Sequence, residues 1–210
     1  MASQVFNTVS GTSGATDERI EKTSAVSYAA ADAATATRQT QVTEMYVGNY
    51  FSTSWYLDQT FLAFNTSALA AATITSWTLE LYLASVGRNI DTHLQEIYAS
   101  AWGGDTVVAG DWVAAASLGT RLAYFDTTGA TSGAYKSFTI EDSGAAINKS
   151  GITGFVLTTD TYRLATDPQS AGNSQIDWYG ADFGPNTYPP KLTVNYTAGF
   201  VGMLVTRKVG

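Results

Sequence analysis

The sequence predicts an all-β protein built as a sandwich or barrel of short strands. The first observation is the run Trp77-Thr78-Leu79-Glu80-Leu81-Tyr82-Leu83-Ala84, where apolar residues alternate with others at period two. Such alternation is the mark of a half-buried strand. The second is that similar short segments recur along the chain, separated by turn residues. Many short strands with turn signals between them point to a sandwich or barrel. The third is composition: only 14% of residues are charged, while Thr and Ala supply 30 residues each. An average soluble domain is about 25% charged, so the polar surface here must come from Thr, Ser, Asn, Gln and Gly. Thr is β-branched and suits a pleated sheet better than a helix.

In chain order, residues 1–16 are small and polar and read as an N-terminal arm. Val42–Val47 is the first predicted strand, closed by the turn pair Gly48-Asn49. Gln59–Phe64 follows, ending at Asn65-Thr66, and then the alternating strand Trp77–Ala84 ends before Gly87-Arg88-Asn89. His93–Tyr98 precedes Gly103-Gly104, and Leu122–Phe125 and Tyr135–Ile140 precede Asp142-Ser143-Gly144. Gly154–Thr158, Gln175–Tyr179 and Lys191–Tyr196 complete the set, with Gly184-Pro185-Asn186 before the last. Asn, Asp, Gly and Pro punctuate because they supply or preset turn geometry. Ala29–Thr37 is Ala-rich but has no apolar stripe, so it is expected to be a long loop. Residues 198–210 form an apolar piece beyond a strand that already reads as terminal. The expected organisation is one domain over 17–197 with arms at 1–16 and 198–210, without internal repeat or linker. Ends of this kind fray unless something holds them, so the arms are expected to dock on copies of the chain or on other proteins.

Composition removes several function classes. With no cysteine, disulfides, thiolate metal sites and a cysteine nucleophile are excluded. Eleven Lys and Arg against eighteen Asp and Glu give a net charge of −7, unlike a general nucleic-acid binder. No run approaches the about 18 apolar residues of a membrane span, and no basic start with an apolar core marks a secretory signal. The product is expected to be soluble and not exported by that route.

Four pieces then carry a family resemblance. They are Tyr46-Val47-Gly48-Asn49; Thr60–Leu69 running through Ala72-Thr73-Ile74-Thr75-Ser76 into Trp77–Leu83; Gly154–Asp160; and Ile176–Tyr179 followed by Tyr188-Pro189-Pro190-Lys191-Leu192-Thr193-Val194-Asn195-Tyr196. In their order they resemble the DNRLRE-type β-sandwich family, modules related to alginate-binding carbohydrate-binding domains. The resemblance covers about Asp17 to Tyr196 and implies a jelly-roll β-sandwich of two antiparallel sheets. Two places depart from it: Gln59-Thr60 stands where the family has an arginine, and Phe138–Ala145 replaces a helical turn. Modules of this kind occur on secreted polysaccharide-active enzymes and in surface-layer and phage structural proteins. Fold alone does not choose among those settings.

Candidate chemistry lies in acids and aromatics. Asp105 with Asp111, Glu141 with Asp142, Asp160 with Asp167, and Asp177 with Asp182 are spaced as loop carboxylate pairs. Such pairs serve acid–base work when held about 5–10 Å apart, or calcium, which takes six to eight oxygens; otherwise they are solvated, turn-capping acids. A structural calcium, if bound, would sit at Asp160 and Asp167, and no other cofactor is expected. His93 is the only histidine, which leaves little room for a zinc site or a Ser-His-Asp arrangement. Five Trp, twelve Tyr and nine Phe are more informative. Trp77 lies in the apolar phase of its strand and reads as core. Trp55-Tyr56, Trp102, Trp112, Trp178-Tyr179, Phe183 and Tyr188 lie in or near turns, where aromatics stack on sugar faces, plug a sandwich end or enter an assembly interface. The candidate glycan-contact residues are Trp102, Trp112, Trp178, Tyr179, Asp177 and Tyr188. The expected function is that of a non-enzymatic structural or adhesion subunit of a larger particle. The setting is a phage virion, as capsid decoration or tail-associated protein, in contact with polysaccharide. The alternative is an extracellular carbohydrate-binding module of a polysaccharide-degrading system.

Overall fold

The computed structural model describes residues 1–8, 17–39, 43–86, 94–104, 106–164, 175–184 and 188–198. Its strands are β1 (Ala2–Asn7), β2 (Asp17–Ser24), β3 (Thr37–Gln39), β4 (Glu44–Phe51), β5 (Trp55–Asn65), β6 (Thr73–Val86) and β7 (Leu94–Ala99). They continue with β8 (Ala123–Asp126), β9 (Ala134–Ser137), β10 (Thr139–Ile140), β11 (Ile152–Thr159), β12 (Ile176–Tyr179) and β13 (Lys191–Thr197). Among the described residues the α-helices are short, α1 (Tyr28–Ala33) and α2 (Asp160–Arg163). The protein is therefore all-β. Its strands pair antiparallel in one continuous curled sheet, in the order β1-β13-β6-β12-β4-β5-β11-β7-β8-β10, with β2 on β5, β3 on β2 and β9 on β6.

The sheet is continuous because β4 serves both of its limbs. Glu44–Val47 pair with β12, whereas Gly48–Phe51 pair with β5. The change of partner falls at Gly48, whose φ of 121° lies in a region that favours glycine. Gly48-Asn49 is thus a bend inside a strand, not the turn that its composition suggests.

Both limbs turn one face inward onto a shared core. Trp77, Leu79, Leu81 and Leu83 of β6 are all buried, as their alternation requires, and they meet Leu62, Phe64, Phe155 and Leu157 of β5 and β11. Trp77 and Phe155 stack with centroids 5.4 Å apart. The limb of β5, β7 and β11 is buried on its second face as well. There Ile20, Phe61, Ala63, Tyr98 and Val156 are covered by Trp102, Val107 and the partly buried Trp112, Val113 and Leu118. That double burial explains why β5 is an almost unbroken buried run and not an alternating strand. Within this limb Glu96 is fully buried, yet its carboxylate receives Arg121 Nη1 at 2.8 Å, Arg163 Nε at 2.7 Å and the Tyr98 hydroxyl at 2.7 Å. A buried charge persists only with such partners.

Three expectations need correction. Within Ala29–Thr37, residues up to Ala33 belong to α1 and not to a loop. Ser27 caps that helix by accepting from the Ala30 N–H at 3.1 Å, and Tyr28 and Ala31 are buried against Trp55, Leu57 and Tyr162. A single turn needs no long stripe when two residues suffice to dock it. Ala2–Asn7 form an edge strand on β13 of the same chain, in register Ala2↔Tyr196 to Asn7↔Lys191. Trp178 lies not at a turn but in the core, as the next section describes.

Candidate functional site

The outward face of β12 carries Asp177 and Tyr179, while Ile176 and Trp178 point inward. Pairing sets Asp177 opposite Tyr46 and Tyr179 opposite Glu44 on β4, and on the other side Asp177 lies opposite Ser85 of β6. Tyr82, in the outward phase of β6, meets the chain that links β12 to β13. Its ring stacks on Tyr188 with centroids 4.0 Å apart and on Tyr179 at 5.4 Å. Tyr179 in turn stacks on Phe183 at 3.6 Å, and Tyr135 of β9 stands edge-on to Tyr82 at 5.4 Å. The Lys191 ammonium sits 3.5 Å from the Tyr135 ring centre. All five rings are partly exposed, so β6, β9, β12 and the β12–β13 link present one aromatic tract to solvent.

A polar group adjoins this tract where β4 bends. Asp177 accepts a hydrogen bond from the Ser85 hydroxyl, and its other oxygen, Oδ1, is buried without a hydrogen-bond partner. Burial raises the Asp177 pKa, and Glu44 adds to the rise while Ser85 opposes it. The Arg19 guanidinium lies over the Tyr46 ring at 4.3 Å and 3.7 Å from Asp58 Oδ1. Asp58 is fully buried, and burial lifts its pKa to about 8 against the opposing pull of Arg19. Gln175 donates to its second oxygen at 3.1 Å. Chemically the face offers flat rings and phenol hydroxyls, while the unpaired Asp177 Oδ1 lies buried beneath it.

The other expected residues fall elsewhere. Trp178 is fully buried, with Phe125 edge-on at 5.5 Å and Phe138 at 5.7 Å, and its indole N–H points to Gln95 Oε1 at 3.5 Å. It cannot stack on a ligand, because alternation on β12 gives the outward place to Tyr179. Trp102 and Trp112 come together on the far limb, in the layer that covers β5 and β11. Asp160 accepts from the Leu94 and Thr161 N–H groups at 3.1 and 2.8 Å. Its expected calcium partner Asp167, and His93 and Asp105, lie outside the described residues. Among the described residues, no three His, Asp or Glu side chains gather as a metal site. Of the remaining carboxylates, Glu141 is held by Arg121 at 2.8 Å, and Asp142 accepts from Trp77 Nε1 and the Gly144 N–H. Asp182 Oδ1 is buried without a partner beside Asp17. Asp17 accepts from Thr8 Oγ1 at 2.8 Å and the Ala181 N–H at 2.9 Å, and burial lifts its pKa to about 7.

Reading the strands alone missed Tyr82, Tyr135, Arg19, Tyr46 and Asp58. For Tyr82 a signal was present, since it occupies the outward phase of the strongest alternation. A comparison with protein-family models finds no match to this chain. No curated protein matches it either.

Proposed function

We propose that the protein is a non-enzymatic structural or adhesion subunit of a larger particle, of the kind a phage virion carries as capsid decoration or tail-associated protein, and that it contacts glycans. The observation that carries the reading is the solvent-facing tract of Tyr82, Tyr135, Tyr179, Phe183 and Tyr188. Aromatic rings with polar tips suit a surface that meets sugar or protein and water at once. The curled sheet, whose two limbs enclose one core, supports its being a jelly-roll sandwich. Kinship with the DNRLRE-type modules rests on the block that forms β5 and β6 and on the closing strand β13. Attachment to a particle is supported by β1, which ends the strand order and offers an edge for strand addition. The arm residues 9–16 and 199–210 lie outside the described residues.

Calorimetric titration against a glycan panel, with and without chelator, tests the contact. Binding is expected, with Tyr179→Ala weakening it at least tenfold, or about 1.4 kcal/mol. Absence of binding across the panel removes the glycan part of the proposal. Sedimentation separates the two settings, because a particle subunit is expected to self-associate or join an assembly. A strict monomer that binds polymer favours the carbohydrate-binding module of a secreted system, which the same aromatic face also suits.

A further inference from the structure

On the limb remote from that tract, a cleft of about 410 Å³ opens where the chain leaves β7. Ser100, Trp102, Asp111, Trp112, Val113 and Ser117 are among the residues that line it. Both indoles are held in place by the fold. Trp102 is edge-on to Phe61 at 5.8 Å. Its main chain runs so close to Gly154 of β11 that a Cβ there would meet the Trp102 carbonyl oxygen at 2.7 Å. Trp112 donates its indole N–H to the Tyr162 hydroxyl at 2.8 Å, stands edge-on to that ring at 5.6 Å, and takes the Lys22 ammonium at 4.7 Å. Rings fixed before a guest arrives lose little freedom on binding it.

The polar groups of the cleft are equally specific. Ser100 and Ser117 bring hydroxyls, and the Ser100 hydroxyl already accepts from the Trp102 N–H at 3.1 Å. Asp111 is the one charged lining residue, and one of its oxygens accepts from the Val108 N–H at 2.8 Å. The Trp102 indole N–H is buried and has no hydrogen-bond partner among the described residues. A buried donor left unpaired is costly, and an oxygen of a guest that reaches it would offset that cost. Ligand sites span about 300–1,000 Å³, so this cleft has room for about one or two sugar rings.

We propose that the cleft is a second saccharide site, independent of the Tyr179 face, which takes an uncharged sugar unit against the partly buried Trp112, with the largely buried Trp102 forming part of the wall. Sugars pair an apolar C–H face with a rim of hydroxyls, as the cleft pairs indoles with Ser, Asp and N–H groups. A uronate is disfavoured, because the charged residue that lines the wall is Asp111, a carboxylate.

The test follows the five indole N–H signals of the full-length ¹⁵N-labelled chain during titration with cellobiose, maltose and chitobiose, and separately with digalacturonate. Trp102→Phe and Trp112→Phe assign the two relevant signals. At least one neutral disaccharide is expected to move both. Ala114→Trp, at an exposed lining position, is expected to weaken that binding at least tenfold, and Tyr179→Ala to leave it within twofold. Unmoved Trp77 and Trp178 signals confirm that the blocked variant is folded, and Ser117→Trp replaces it if they move. The proposal is overturned if no neutral disaccharide moves either signal, if the shifts survive the blocking variant, or if digalacturonate moves them equally. A loss in Tyr179→Ala would merge this site with the sheet face, whereas intact shifts with no binding at that face would sink only the earlier reading.

Discussion

Trp178 and Tyr179 are neighbours in sequence with opposite fates, and replacing each by alanine measures the difference. Trp178 is fully buried among Phe125 and Phe138. Truncating a buried Trp to Ala costs about 3–5 kcal/mol in transfer and cavity terms. The truncation also strips the N–H from Gln95 Oε1, a fully buried side chain whose amide otherwise reaches only Val47 O at 3.4 Å. An orphaned acceptor of that kind adds about 1 kcal/mol, so Trp178→Ala should lose about 4–6 kcal/mol. Tyr179 is partly exposed and gives up its stacking on Phe183 and Tyr82. At about 0.5–1.5 kcal/mol per aromatic pair, Tyr179→Ala should lose about 1–3 kcal/mol. Equilibrium unfolding in guanidinium chloride reads both values from midpoints and slopes. A Tyr179→Ala loss equal to or larger than that of Trp178→Ala would refute the inward–outward assignment of β12.

Two further predictions concern acid and backbone. Asp17 has a folded pKa of about 7 against an ordinary 3.8, so between about pH 4 and 7 the folded state holds a proton that the unfolded chain has released. Its stabilisation is full below about pH 4 and is lost as pH rises through 7, with a slope of up to about 1.4 kcal/mol per unit. Asp17→Asn should flatten that decline in melting temperatures taken from pH 4 to 8, and an unchanged slope would contradict it. Gly154→Ala puts a methyl 2.6 Å from the Ser100 carbonyl oxygen and 2.7 Å from that of Trp102. The backbone there must shift, at about 1–3 kcal/mol, and denaturant midpoints together with the Trp102 indole signal should both move; an unmoved midpoint would contradict the close approach.

Alternation makes the centre of β6 legible, Trp77–Ala84 within Thr73–Val86, because one buried face and one open face imprint period two. On β5 the sequence reading finds Gln59–Phe64 but not the start at Trp55, because a second covering layer erases the period. The strands β1 and β2 went unread because their partners β13 and β5 lie far along the chain or carry the pattern for them. Asp177, Tyr179 and Tyr188, grouped in sequence by their nearness to a turn, lie on the outward face of β12 or stack beside it. Trp178 was misplaced by the same argument, since proximity to a turn says nothing about which face a residue takes. Arg19, Tyr46 and Asp58 come together only through pairing of β2, β4 and β5, and local spacing holds no trace of that.

The pairing of β1 with β13 also sets a timetable for synthesis. Asn7 must wait for Lys191 before its strand has a partner. At about 5–20 residues per second on the ribosome, that interval is about 10–40 s. Throughout it the nascent segment Ala2-Ser3-Gln4-Val5-Phe6-Asn7 carries no charged side chain to discourage stray strand pairing. β13 is therefore the strand that secures β1, and a chain released before Lys191 leaves the apolar Phe6 uncovered.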